Sequence, residues 1–281
     1  MICMSRELLA ILPPKIRKAM AEEDLEQVEE IRMRLCAPVI LKTAAGTRAL
    51  KLEPAREDLT FVINTASRYS PWNAATMAMG FLTVPGGHRI GVCGEVVMQA
   101  GCPTGIRSVT SLNIRVAKQI DGIAAGVDLR DSLLIVGPPG SGKTTMLREL
   151  IRRISRENRG TVCVVDQRQE IFPFSGEKSC FDCGIHTDVI RGCDKARGLD
   201  MALRCMGPDW IALDEVTAEQ DCQALLRAAW CGVKLLATAH SASLEELYRR
   251  EVYRPLLESR LFRSALVLRR DKSARMEAMA L

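Results

Sequence analysis

Residues 133–145 read LLIVGPPGSGKTT. Its first four residues are apolar and predict a short buried strand. The segment from Gly137 to Thr144 then matches the phosphate-binding pattern G-x-x-x-x-G-K-[ST]. Apolar residues recur at spacings of three and four from Met146 to Ile154, which predicts a helix directly after the loop. Because strand, loop and helix occur in the required order, the stretch predicts a nucleotide-binding loop rather than a chance glycine-rich turn.

Each residue type in this loop has a physical reason to be there. The glycines let the backbone close around an anion with its N–H groups pointing inward, and the helix directs its positive end to the same place. We expect Lys143 to reach the β- and γ-phosphates of ATP and the Thr144 hydroxyl to ligate Mg²⁺. The predicted phosphate-binding residues are Gly137, Pro138, Pro139, Gly140, Ser141, Gly142, Lys143, Thr144 and Thr145.

The composition limits what kind of protein this is. A chain of 281 residues favours two domains, each with enough apolar sequence for a core. The net charge of +5 is modest, whereas a dedicated nucleic-acid binder usually has a denser basic patch. No run of 18 apolar residues occurs and charged residues follow the first few positions, so neither a transmembrane segment nor a signal peptide is expected.

Eleven cysteines are present, an odd number in a chain with a nucleotide-binding pattern. Both features favour the cytoplasm and reduced thiols, which behave as small apolar side chains. Cys180 and Cys183, with His186 and Cys193 downstream, form the one spacing that could hold zinc. There is no second C-x-x-C pair at zinc-finger spacing, so ordinary thiols are the preferred interpretation.

Residues 1–119 predict a small α+β domain. Its strands are expected at 28–35, at 39–42, on either side of the Pro-Gly-Gly turn at 85–87, and at 108–116, with helices at 15–24 and 57–68. Arg89 and Arg115 have two interpretations. They are either solvated residues at strand edges, or cations that contact the nucleotide and offset phosphate charge as an arginine finger does.

Residues 120–130 are small and polar enough for a linker or hinge, and beyond them, in residues 131–281, strands alternate with helices. This alternation predicts an α/β domain with a mostly parallel sheet. A capping box at Thr217 and Gln220 is expected to open the helix that contains Leu225 and Leu226.

Acidic residues and a histidine follow the strands of this second domain. In open parallel sheets ligands bind at the carboxyl edge, where Asp166, Glu170, Asp214, Glu215 and His240 are all expected to lie. An apolar strand that ends in Asp-Glu is the Walker B pattern. It assigns Mg²⁺ to Asp214 and the polarisation of an attacking water to Glu215. His240 is either a core histidine or, as we favour, a residue that senses the γ-phosphate.

With these residues in hand, the chain resembles the secretion ATPase superfamily of type II and type IV secretion and type IV pilus motors. The superfamily's Walker A loop, Asp box, Walker B and His box are similar to residues 137–145, 166–170, 211–215 and 232–241. The resemblance implies a RecA-like P-loop ATPase domain preceded by the smaller α+β domain.

Within the superfamily the chain is most similar to sporulation members, over nearly its whole length. The motifs that carry this are EIRMR at 30–34, GGHRIG at 86–91, NIRV at 113–116, TDV at 187–189, CDKA at 193–196 and MGPD at 206–209. Two positions depart from the pattern. Gln167 replaces a glutamate of the Asp box, which moves the expected catalytic carboxylates to Glu170 and Glu215, and His186 replaces the arginine before TDV.

The resemblance implies a cytoplasmic, peripheral ATPase on the mother-cell side of a sporulation channel. It also implies a homohexamer with membrane-embedded channel proteins as partners. No nucleic acid is expected as a ligand. Two alternatives stay open: an ATPase stimulated by nucleic acid, because RecA-like motors share the Walker motifs, and an ATP-binding assembly scaffold with little turnover, which Gln167 keeps possible. Few aromatic residues (4%) argue against base stacking.

Overall fold

The computed structural model describes residues 7–21, 23–67, 77–78, 80–175 and 177–279. Contacts between Cα atoms group the chain into two units. The first contains Met1–Lys118 and Pro173–Phe181, and the second contains Gln119–Phe172 and Asp182–Leu281. The sequence places 131–281 in one domain, so the return of nine residues to the first unit is a feature that only the structure reveals.

The first unit is built on a six-stranded antiparallel sheet in the order β3-β2-β1-β6-β5-β4. Its elements are α1 (Pro14–Met20), β1 (Val28–Arg34), β2 (Ile40–Thr43), β3 (Gly46–Ala49), α2 (Arg56–Ser67), β4 (Phe81–Thr83), a 3₁₀ turn (Pro85–Gly87), β5 (Arg89–Gln99) and β6 (Cys102–Arg115). The short strands β9 (Phe174–Ser175) and β10 (Lys178–Ser179) form a separate hairpin of this unit. The expected α+β character of residues 1–119 matches these elements.

Strand β1 explains how one face of this sheet is buried. Val28, Ile31 and Met33 are all buried, although strict alternation would turn Val28 away from the other two. The register between β1 and β2 shifts between Val28 and Glu30, and this bulge returns Val28 to the inner face. Leu59 and Val62 of α2 complete the core against the same face.

The second unit is built on a seven-stranded sheet in the order β11-β8-β12-β13-β7-β14-β15, parallel except for β15. Its strands are β7 (Leu133–Gly137), β8 (Val162–Asp166), β11 (Thr187–Arg191), β12 (Trp210–Leu213), β13 (Lys234–His240), β14 (Ser264–Leu268) and β15 (Ala274–Ala278). The helices are α3 (Lys143–Arg156), α4 (Lys195–Met201) continuing as a π turn (Ala202–Met206), α5 (Glu219–Trp230), α6 (Leu244–Tyr248), a 3₁₀ turn (Glu251–Tyr253) and α7 (Arg254–Glu258).

The order of this sheet brings the functional strand ends together. Strands β7, β8 and β12 are buried along their whole length, as expected for parallel strands covered by helices on both faces. The phosphate-loop strand β7 lies between β13 and β14, and β12 lies on the other side of β13. The predicted mostly parallel α/β sheet is therefore confirmed.

Two local expectations differ from the structure. The helix α5 begins one residue later than the Thr217–Gln220 capping box implies, and Asp221 provides the cap instead. Its carboxylate accepts the N–H groups of Thr217 (3.0 Å) and Ala218 (3.2 Å). A carboxylate accepts two N–H groups better than the neutral Gln220 amide, and it also suits the positive end of the helix.

The segment predicted as a linker, residues 120–130, lies within the second unit and is attached to α3. The N–H of Gly122 donates to Glu149 (2.6 Å), and the guanidinium of Arg153 donates to the Val127 carbonyl (3.1 Å). Whether this segment acts as a hinge stays a prediction.

Candidate nucleotide-binding site

The phosphate-binding loop connects the end of β7 to the start of α3, as the sequence predicts. Gly142 precedes the helix with φ +98°, a conformation that side chains disfavour. Gly137 is needed for close packing, because a Cβ there would lie 2.5 Å from Ser141 Oγ and 2.9 Å from the Leu268 carbonyl oxygen. Pro138, Pro139 and Gly140 form the outer part of the loop, and Thr145 lies half-buried in the first turn of α3.

The side chain of Lys143 is buried inside its own loop. Its ammonium donates to the carbonyl oxygens of Gly137 (2.8 Å) and Pro138 (3.0 Å), and it lies 3.1 Å from Nδ1 of His240. Burial lowers the pKa of Lys143, while the carboxylates of Asp214 and Glu215 act in the opposite direction. The loop, the Walker B strand and the His box thus meet at one cation.

Asp214 follows the last residue of β12 and is held by two hydroxyls. Thr144 Oγ1 donates to Asp214 Oδ2 (2.7 Å), and Thr238 Oγ1 donates to the other carboxylate oxygen. Thr238 is fully buried on β13, and its hydroxyl also accepts the N–H of Glu215 (2.7 Å). The sequence predicts Thr144 and Asp214 as a metal-binding pair, and their oxygen atoms lie side by side here.

Glu215 and His240 form an ion-pair geometry at the same edge. His240 Nε2 lies 3.1 Å from Glu215 Oε1, and Arg168 lies 3.6 Å from the other carboxylate oxygen. Burial and the neighbouring Lys143 ammonium lower the pKa of His240, against the opposing effect of Glu215 and Asp214. We infer a neutral imidazole whose Nδ1 accepts from Lys143 and whose Nε2–H donates to Glu215.

Asp166, the first residue of the Asp box, has a structural role that the sequence did not reveal. Asp166 is buried and accepts the N–H groups of Glu170 (2.9 Å), Ile171 (3.0 Å) and Phe172 (2.8 Å). Burial raises its pKa to about 6, while these N–H donors lower it. Asp166 therefore shapes the loop.

Arg148 of α3 fixes the same loop from its other side. Its guanidinium donates to the carbonyl oxygens of Ile171 (2.6 Å) and Glu170 (3.0 Å), and burial lowers its pKa to about 10. Glu170 and Glu215 consequently line one cleft, together with Asp166, Gln167, Arg168, Lys195, Asp214 and Thr217. The two predicted catalytic carboxylates are thus brought together.

Two residues near the loop fit a bound anion. Ser141 Oγ is buried and has no hydrogen-bond partner among the described residues. Lys272, in the turn between β14 and β15, donates to the Gly140 carbonyl oxygen (3.0 Å). The sequence offered no signal for Lys272, which is 132 positions away from Gly140.

Arg89 and Arg115 lie in the first unit, outside the second unit that carries the loop. They face each other in the register between β5 and β6, and the Arg89 guanidinium lies 4.0 Å above the ring of Phe81. His88 between the turn and β5 is fully buried and accepts the Ala117 N–H at Nδ1 (3.1 Å). A contact of either arginine with a nucleotide stays a prediction.

The described residues contain no group of three or more His, Cys, Asp or Glu side chains that could hold a metal ion. Cys180 and Cys183 are not joined in a disulfide bond. His186 uses its backbone N–H to bind Ser155 Oγ (2.8 Å), next to the start of the edge strand β11. None of the helices formed by the described residues has the length and apolar character that a membrane span requires.

Among the solved structures similar to this chain are a pilus retraction motor and an ATPase. The pilus retraction motor PilT with bound ADP matches with a TM-score of 0.61 and 19% identity, over 93% of this chain and 77% of that one. The Legionella pneumophila ATPase DotB matches with a TM-score of 0.56 and 16% identity, over 94% and 79%. At these identities the likeness establishes the fold, which agrees with the predicted P-loop ATPase architecture.

Two proteins found by sequence have higher identity to this chain than these two solved structures do. The Arabidopsis thaliana protein SEEDLING PLASTID DEVELOPMENT 1 is 27% identical over 260 residues, covering 86% of this chain but only 34% of that protein. Stage III sporulation protein AA of Bacillus subtilis (strain 168) is 34% identical over 280 residues, covering 95% of this chain and 91% of that protein. The family model described as "Sporulation stage III, protein AA" matches residues 4–277. This chain therefore belongs to the sporulation stage III protein AA family.

Proposed function

We propose that this chain is a Mg²⁺-dependent ATPase that works as a secretion-type motor in sporulation. The observation that carries the proposal is the meeting of Lys143, Thr144, Asp214, Glu215 and His240 at one edge of the parallel sheet. These residues come from the loop and from the ends of β12 and β13, and they combine a phosphate cradle, a pair of oxygen ligands and a carboxylate base. Phosphoryl transfer by positioning and charge stabilisation needs these parts.

The donor set fits a nucleotide with its metal ion. Mg²⁺ prefers oxygen ligands, which the Thr144 hydroxyl and the Asp214 carboxylate offer 2.7 Å apart. The unpartnered hydroxyl of Ser141 and the N–H groups of the loop suit phosphate oxygens. The metal ion would supply charge that offsets the charge developing on the phosphoryl group.

Glu215, His240 and Glu170 have different roles in hydrolysis. Glu215 accepts the proton of the attacking water. His240 contacts one of its carboxylate oxygens, and the other oxygen faces Arg168 at 3.6 Å. Neutral His240 links Glu215 to Lys143. Loss of the γ-phosphate near Lys143 is therefore transmitted to the Glu215 carboxylate through the imidazole of His240. Glu170 lines the same cleft and is the second candidate carboxylate.

We propose a homohexameric ring on the cytoplasmic, mother-cell side of the membrane, which transmits ATP hydrolysis to membrane-embedded channel proteins. Support comes from the sporulation family and from the fold that the chain has in common with a pilus retraction motor. Arg89 and Arg115 are proposed to contact the nucleotide.

The test measures ATP binding and turnover separately in the full chain. Lys143→Ala is expected to abolish turnover, because the loop loses its phosphate-binding cation. Glu215→Gln is expected to keep ATP binding and to slow hydrolysis by about 10²–10⁴, the range for a lost general base. Lys234→Ala is the matched control, since Lys234 lies at the opposite end of β13 from His240.

Normal turnover in Lys143→Ala would contradict the ATPase assignment. Stimulation of turnover by single-stranded DNA or RNA, with strong salt dependence, would favour the nucleic-acid motor instead. ATP binding without turnover in the wild-type chain would favour the assembly scaffold.

A further inference from the structure

The backbone of Glu215 has an uncommon conformation. Its φ angle is +53°, in the left-handed region that residues other than glycine seldom adopt and that tends to occur at functional sites. Such a conformation persists only when the surrounding contacts hold it. The contacts on each side of Glu215 therefore explain how its carboxylate is aimed.

Strand β13 holds the N–H groups of the peptide units on both sides of Glu215. The N–H of Glu215 donates to Thr238 Oγ1 (2.7 Å), and the N–H of Val216 donates to the Thr238 carbonyl oxygen (2.9 Å). These two bonds fix the position of the chain but leave the Glu215 carbonyl oxygen without a strand partner. That oxygen accepts a hydrogen bond from the ammonium group of Lys195.

The backbone and the side chain of Lys195 are both held in place. It is the first residue of α4, whose N-cap is Asp194 and whose Leu199 is buried in the core. Its side chain is only 12% exposed, and its ammonium also lies 3.3 Å from the Asp221 carboxylate. A lysine this buried and this well paired has a restricted set of rotamers.

Asp221 extends the support to the residues that follow Glu215. Its carboxylate accepts the N–H groups of Thr217 and Ala218, so Lys195 and Asp221 together bind the loop on both sides of Val216. Tyr253 completes the arrangement by donating from its hydroxyl to the Val216 carbonyl oxygen (2.8 Å). The left-handed turn at Glu215 is thus held by two bonds to β13 and by one charge-assisted contact that the Walker B pattern does not include.

We propose that Lys195 is a positioning residue for Glu215: its ammonium holds the Glu215 carbonyl oxygen, keeps the left-handed backbone turn, and so aims the carboxylate at His240. This inference rests on the proposed ATP hydrolysis. It gives a role to the CDKA motif at 193–196, which neither the phosphate loop nor the acidic strand ends explain. Without the ammonium, the peptide group after Glu215 is held only through the Val216 N–H, so it tilts and withdraws the carboxylate from Nε2 of His240.

The experiment compares ATP affinity, by equilibrium binding of a fluorescent ATP analogue, with single-turnover hydrolysis. Lys195→Met is expected to lower the hydrolysis rate by about tenfold or more while ATP affinity changes less than about twofold, the signature of a lost transition-state interaction. Lys195→Arg keeps a cation and is expected to recover part of the rate. Lys234→Met is the matched control and is expected to change neither quantity.

A double variant separates positioning from general damage. If Lys195 acts through Glu215, adding Lys195→Met to Glu215→Gln is expected to cause no further loss of rate, because coupled residues are not additive. A structural defect would lower the rate by the same factor in both backgrounds. Should Lys195→Met fail to fold by thermal unfolding, Lys195→Gln, which keeps an N–H donor, is measured in its place.

The possible results test the role of Lys195 and the proposed function separately. Unchanged hydrolysis in Lys195→Met, an additive loss in the double variant, or a fall in ATP affinity equal to the fall in rate would overturn the inference while Glu215→Gln keeps its slow hydrolysis. Full turnover in Glu215→Gln, or none in the wild-type chain, would instead overturn the proposed function and this inference with it.

Discussion

His240 touches both the phosphate-loop lysine and the Walker B glutamate. Its Nδ1 lies 3.1 Å from Lys143, although the two residues are 97 positions apart, and its Nε2 lies 3.1 Å from Glu215. The pKa of this imidazole is below its ordinary value of 6.5, because burial and Lys143 both disfavour a second positive charge. At neutral pH the residue is therefore a neutral bridge and not a cation.

The lowered pKa has a definite sign for stability and for activity. Below pH 6.5 the unfolded chain binds a proton at His240 more readily than the folded chain does, so this residue makes the free energy of unfolding rise with pH through that window. Protonation of Nδ1 also breaks the contact with Lys143. We expect ATP turnover to fall on the acid side of pH 6.5.

This prediction is checked with His240→Gln, whose amide keeps a donor and an acceptor but does not titrate. A rate profile from about pH 5 to 8 is expected to lose the acid limb that His240 causes. His186→Gln is the matched control, because His186 lies in the same unit but outside the cleft. An acid limb that is unchanged in His240→Gln would refute this role.

At the scale of elements, the loop after β8 is shaped by one carboxylate and one guanidinium. Asp166 accepts three consecutive N–H groups of the loop, and Arg148 of α3 donates to two of its carbonyl oxygens. Without these partners the loop would have buried, unsatisfied backbone groups. The Asp box thus begins with a structural residue, and the catalytic candidate is its last position, Glu170.

Asp166→Ala is expected to destabilise the chain by about 1–3 kcal/mol, because buried N–H donors lose their acceptor. The measurement is chemical denaturation followed by circular dichroism. Gln167→Ala is the control, since the adjacent Gln167 is exposed, and we expect it to change stability by less than about 0.5 kcal/mol. Equal effects of the two substitutions would show that the loop is not held by Asp166.

At the scale of the whole molecule, the proposed ring predicts that mass depends on nucleotide. With Mg²⁺ and a non-hydrolysable ATP analogue, light scattering is expected to report a homohexamer. Lys143→Ala is expected to stay at the smaller mass, because its loop lacks the phosphate-binding cation. A mass that does not respond to nucleotide in the wild-type chain would contradict the ring motor but not ATP hydrolysis by itself.

The sequence predicted those parts of the fold that depend on neighbouring residues. The phosphate loop, its preceding strand and following helix are encoded within residues 133–156, and the strands β8, β12 and β13 are fully or mostly apolar runs. Short strands escaped the prediction. The residues of β11 include Thr187, Asp188 and Arg191, and β15 is also largely exposed, so their pairing at the sheet edges carries no apolar signature.

The sequence by itself predicted a nucleotide-binding loop and a mostly parallel α/β sheet, because a short motif and its flanking periodicity contain that information. The tertiary structure alone decided that Thr238 holds Asp214, that Asp166 shapes a loop, and that Lys195 reaches Glu215. These contacts join residues 4 to 24 positions apart, and the Lys272 contact spans 132. Hydrogen bonds depend on where folded elements meet, and no local pattern encodes that.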